Sequence, residues 1–142
     1  IRKYTAIFLI LFFITPLFAE NELVMDSQFF RKFSTLKAIS RDDYLEQFNN
    51  RIFIGRGRIT SVTENSRYRK NFRVVIESAD SARYNQKFIF YLFLDNKDTA
   101  DLLTEGADFE FKGQFMGYTP LNTKRNAYII DAVLMDASTV IE

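Results

Sequence analysis

Arg51-Ile52-Phe53-Ile54-Gly55-Arg56-Gly57-Arg58-Ile59-Thr60-Ser61-Val62 reads as one long strand that glycine bends rather than ends. Isolated glycines inside a strand pattern mark a bulge, a sharp bend or a close approach of another backbone. A strand bent at Gly55 and Gly57 can pair with one neighbour before the bend and another after it. The stretch therefore predicts the first strand of a small closed barrel, and it requires further strands downstream.

They follow. After the polar loop Thr63 to Asn71, Phe72-Arg73-Val74-Val75-Ile76-Glu77 alternates as a second strand, with Phe72, Val74 and Ile76 toward a core. Residues 78–85 are rich in turn formers. Lys87 to Leu94 is apolar on both sides, the pattern of a third strand covered on both faces. Asp95 to Gly106 predicts a short helix with acids in its first turn and a stop at Gly106. Asp108 to Phe115 alternates aromatic and charged residues as a half-exposed fourth strand. Tyr118 to Asn126 is its loop, and Ala127 to Met135 is the fifth strand.

Ahead of the barrel, residues 20–50 read as helical. Asp26 and Ser27 are N-cap candidates, and Phe29, Phe30, Phe33 and Leu36 recur at spacings of three and four on one face. Ser40 with Asp43 three residues on suggests a second start, with Tyr44, Leu45 and Phe48 as its apolar side. Two short helices, or one broken near Ser40, satisfy this pattern. The aromatic face reads as packing on the barrel, and an exposed part of it would be a docking surface for a partner protein.

Residues 1–19 read as a secretory signal peptide. Arg2 and Lys3 precede the apolar run Ala6 to Ile14, and Thr15, Pro16 and Ala19 follow before Glu20. The run is much shorter than the roughly 20 residues a spanning helix needs; an uncleaved anchor is the other reading. A cut after Ala19 leaves 17 basic residues against 18 acidic ones and no membrane span. A near-neutral domain lacks the broad positive field of a general nucleic-acid binder. With no cysteine in an exported chain, packing alone must hold the fold. The expected organisation is thus a signal peptide over 1–19, a helical segment over 20–50 and a barrel over 51–142, in a periplasmic or secreted protein.

Little supports catalysis. The chain has no His and no Cys, which removes the commonest general base, the thiol nucleophile and most zinc sites. Gly55-Arg56-Gly57 lies in a strand and cannot act as a phosphate-cradling loop before a helix. Asp95, Asp98, Asp101, Glu105 and Asp108 surround one predicted helix, but their spacing matches no calcium loop and suits a solvated helix start. Arg56, Arg58 and Asp131 could be recruited into a nuclease site, though no spacing demands it. The expectation is a non-enzymatic protein with no cofactor and no metal.

The order strand, strand, strand, helix, strand, strand resembles the OB-fold, a five-stranded Greek-key barrel, and in particular exported bacterial domains of the tRNA-anticodon-binding-like type. The resemblance covers roughly Asp43 to Met135. It rests on Tyr44-Leu45-Glu46-Gln47-Phe48-Asn49-Asn50, on the glycine-containing strand ending Ile59-Thr60-Ser61-Val62, and on Leu103-Thr104-Glu105-Gly106-Ala107-Asp108 with Gly113 beyond. OB domains bind on the face of strands two and three and on the loops between strands one and two and strands four and five. Here those loops carry Arg67, Tyr68, Arg69 and Lys70, and Tyr118, Lys124 and Arg125, with Arg73 at the edge of the face. Cations interleaved with tyrosines suit an anionic polymer or small envelope ligand, either an oligosaccharide or single-stranded nucleic acid. Exposed loops are commonly charged, and a merely solvated pair of loops is the reading this one has to displace. In an OB barrel both loops should flank one groove. The other function class is a structural protein docking on an envelope protein through its aromatic helical surface.

Overall fold

The computed structural model describes residues 22–135; the signal-peptide reading of residues 1–19 lies outside them. The elements in chain order are β1 (Leu23–Val24), α1 (Ser27–Thr35), α2 (Ala38–Glu46), β2 (Ile52–Glu64), a 3₁₀ turn (Arg67–Arg69), β3 (Phe72–Glu77), α3 (Ala79–Ala82), β4 (Lys87–Leu94), α4 (Lys97–Leu102), β5 (Asp108–Pro120) and β6 (Ala127–Leu134).

β2 does what its glycines imply. Residues Ile52 to Arg58 pair antiparallel with β5, and Arg58 to Glu64 pair antiparallel with β3. At the changeover a Cβ on Gly57 would collide with the Glu77 carbonyl, so only glycine lets the two backbones meet. A bulge between Ile59 and Ser61 completes the bend. β3 continues to β4, β4 pairs in parallel with β6, and β6 pairs with β5, which returns to β2. Five strands thus form a closed ring in the order of an OB barrel, with β1 added in parallel beside Phe53 and Ile54.

Phe53, Val74, Phe90, Phe111 and Ile130 converge in one core, each at most 1% exposed. α1 starts on Asp26, whose carboxylate accepts from the Gln28 and Phe29 N–H groups. Its Phe29, Phe30 and Phe33 are buried and join the same core; Phe30 and Phe33 meet Phe88 edge-on at 4.9 and 5.2 Å. Burial of each such ring contributes about 1.5–3 kcal/mol. The barrel therefore covers Phe29, Phe30 and Phe33, while Leu36 at the end of the same face is only partly buried.

Four boundaries differ from expectation. Leu23–Val24 is strand within a segment read as helical. The helix break falls at Leu36 and Lys37, and Ser40 lies inside α2, because Arg41 donates from Nη2 to the Ser34 carbonyl and from Nε to that of Leu36, capping α1 from beyond its end. α4 is capped by Asn96 and ends at Leu102, several residues before the left-handed Gly106. β5 runs on to Pro120 through a bulge between Phe115 and Gly117, so Tyr118 belongs to a strand and not to a loop.

Candidate functional site

Because Val74, Ile76, Phe90, Leu92, Ile130 and Ala132 fill the barrel, strand alternation turns the residues between them outward. The outward set on β3, β4 and β6 includes Arg73 and Val75, then Ile89, Tyr91 and Phe93, then Asp131. In register, Arg73 stands opposite Phe93, Val75 opposite Tyr91, and Tyr91 opposite Asp131. The Arg73 guanidinium lies over the Tyr91 ring at 4.7 Å. Its Nε is buried without a hydrogen-bond partner, and among the described residues Arg73 makes no ion pair.

One end of this face is covered by the loop after β2. Tyr68 Oη donates to Asp131 Oδ2 at 2.8 Å, and Arg67 Nη2 donates to the same oxygen at 3.0 Å. The Tyr68 ring packs edge-on against Phe93 at 5.0 Å, and the Arg67 guanidinium lies 5.6 Å from the Phe93 ring centre. Phe93 is consequently fully buried although it stands outside the barrel core. Tyr68 and Arg69 both have left-handed backbones, with φ of 57° and 58°. For side chains other than glycine this costs about 1–2 kcal/mol each. Burial, then the hydrogen bond to Asp131, push the Tyr68 phenol above its ordinary value. Below the tip the loop is fixed separately. Asn65 N–H donates to the Asn71 carbonyl, Asn71 N–H to Asp95 Oδ1, and Lys70 pairs with Asp95.

The second loop, residues 121–126, lies by register at the Lys87 and Ala127 end of β4, whereas the first meets the Leu94 end. The loops are thus roughly 20 Å apart along β4. Arg125 Nε donates to Asp42 on α2 at 3.2 Å, and its carbonyl accepts from Arg41 Nη1. Tyr118 Oη reaches Glu46, and its phenol is raised by burial and then by that carboxylate. Of the expected ligand-binding set, Arg67, Lys70 and Arg125 are spent on internal acids. Arg69, Arg73 and Lys124 have no ion pair among the described residues, and the face gathers Arg73 but not the two loops into one patch. Sequence reasoning did not single out Tyr91 and Phe93 as residues of this outer face. Their signal was present, because aromatics at 91 and 93 share the outward phase of a strand whose inward phase is Phe88, Phe90 and Leu92.

No protein-family model and no curated protein matches the chain. The fold is similar to the crystal structure of a lipoprotein from Klebsiella pneumoniae whose name proposes nucleic-acid binding, with a TM-score of 0.51 and 13% identity over 83% of this chain and 95% of that one. At that identity the likeness is one of fold. Among the described residues, no helix is long and apolar enough to cross a membrane.

Proposed function

We propose that this chain is an exported, non-enzymatic OB-fold module that holds a short run of single-stranded nucleic acid across the outer face of β3 and β4. The observation that carries the reading is the pair Arg73 and Tyr91: a guanidinium stacked on an aromatic ring, on the binding face of the fold, with no carboxylate partner among the described residues. Such a guanidinium retains edge N–H donors for a phosphate, and the ring beside it is a platform for a base. Arg69 and Lys124 extend the contact beyond the two ends of the face. The resemblance to tRNA-anticodon-binding-like domains supports this reading, as does the name of the Klebsiella lipoprotein. The leader-like residues 1–19 support export.

The test is an anisotropy titration of a labelled thymidine nonamer at low salt, with an acidic oligosaccharide of similar charge in parallel. The nonamer should bind, and replacing Arg69, Arg73 and Lys124 together by alanine should weaken it on the order of tenfold or more. Failure of the wild-type protein to bind the nonamer at low salt sinks the proposal, and capture of the oligosaccharide alone would replace it.

A further inference from the structure

Asp131 is an acid on the outward side of an otherwise apolar strand, with its side chain only 10% exposed. Its Oδ2 accepts two donors, both from the tip of the first loop, while among the described residues its Oδ1 accepts none. The Tyr68 ring shows what fits there. One planar ring touches Phe93 with an edge and Asp131 with a donor at the same time.

The contacts that hold the tip to the face are distinct from those that fix the base of its loop. Its base is closed by the Asn65 to Asn71 hydrogen bond and tied to Asp95 by two more, and an open depression of about 410 Å³ lies beside that base, between Asn65, Asn71, Asp95 and Lys97. Within the loop the Arg67 carbonyl accepts from the Lys70 N–H and from Asn65 Nδ2, and among the described residues only the side chains of Arg67 and Tyr68 bond the tip to the face, against a left-handed backbone at two consecutive residues.

We infer that the Arg67 and Tyr68 tip is a displaceable occupant of a base subsite built from Phe93 and Asp131, and that the base this subsite takes is guanine. The inference rests on the single-strand reading of this face. When the tip lifts, the carboxylate loses both donors, and a ring that takes the tip's place shuts it off from water again and must bring donors of its own. Guanine alone among the bases presents two adjacent N–H donors, N1–H and the N2 amino group, and they match the two oxygens of a carboxylate. Adenine sets one amino group beside an acceptor nitrogen, cytosine does the same, and thymine flanks its one N–H with two carbonyls. Each of these brings a lone pair against Asp131. Arg67, once released, is free to meet a phosphate.

The experiment compares labelled nonamers of thymidine carrying a single central guanosine, inosine or adenosine, with the all-thymidine nonamer as reference. Wild-type protein should favour the guanosine nonamer about tenfold over thymidine, the range of one bidentate base contact. Inosine, which lacks the N2 amino group, should lose most of that advantage, and adenosine should show none. Tyr68→Gly, a residue at home at positive φ, should widen the preference by emptying the subsite, and the isosteric Asp131→Asn should abolish it. Equal binding of all four nonamers by wild-type protein and by Tyr68→Gly overturns the subsite while leaving the binding face intact. No binding of any nonamer removes the face, and the subsite with it. The inosine arm needs no substitution in the protein, so the inference stays falsifiable if Asp131→Asn fails to fold.

Discussion

Gly57 sits where β2 leaves β5 and takes up β3, and the group in the way of any side chain there is backbone, the Glu77 carbonyl. Backbone cannot rotate aside, so Gly57→Ala should destabilise the fold by about 1–3 kcal/mol in urea unfolding. Gly117→Ala is the control. Nothing lies within 4 Å of its added methyl, and the change should stay within about 0.5 kcal/mol. A second consequence at this scale concerns Tyr128, which is fully buried and donates to Asp42 Oδ1 at 2.6 Å. Burial first, then the hydrogen bond and charge of Asp42, hold its phenol well above the ordinary tyrosine range. The neutral form is thus favoured in the folded state. Its contribution is fully present below the unfolded value near 10 and is lost as pH rises toward the folded one, at up to about 1.4 kcal/mol per pH unit. Ultraviolet titration of the tyrosines should therefore show Tyr128 ionising only with unfolding. A step near pH 10 in folded protein that Tyr128→Phe removes would contradict this.

At the scale of elements, β3 and β4 were legible to the residue, because an alternating run in one and a doubly apolar run in the other are each bounded by polar turns. The helical segment was legible in its aromatic face and not in its break. The signal for the break is Arg41, which reaches five and seven residues back to the Leu36 and Ser34 carbonyls and across to that of Arg125, and no local pattern shows such a contact. Ser34 and Thr35 assist by turning their hydroxyls onto the carbonyls of Arg31 and Lys32. Arg41→Ala should cost about 2–3 kcal/mol, since hydrogen bonds from a charged donor are worth more than neutral ones and the released carbonyls are partly buried. Protection of the amides in α1 and in the loop 121–126 should fall together in hydrogen exchange. Loss in α1 alone would show that Arg41 does not join the two elements.

For the molecule as a whole, the barrel could be read from the chain because each strand announces itself, while the site could be read only as a list of charges. Whether a loop cation faces solvent or an acid depends on Asp42, Asp95 and Asp131, which are distant in sequence and near in space. That sorting has a measurable consequence. Binding to a single strand releases counterions, and the slope of log K against log salt is about −0.7 for each phosphate neutralised. Six loop and face cations, Arg67, Arg69, Lys70, Arg73, Lys124 and Arg125, would give a slope of about −4 if all met phosphates. Three of them are already neutralised within the fold, so the all-thymidine nonamer, which brings no guanine to lift the tip, should give about −2. The stacking part of the affinity, on Tyr91, should persist at high salt because it involves no displaced ion. Titrations across a range of salt concentrations read both quantities at once, the slope for the free cations and the intercept for the stack. A slope near −4 would mean that the pairs with Asp42, Asp95 and Asp131 open on binding. A slope near zero would remove Arg69, Arg73 and Lys124 from the interface.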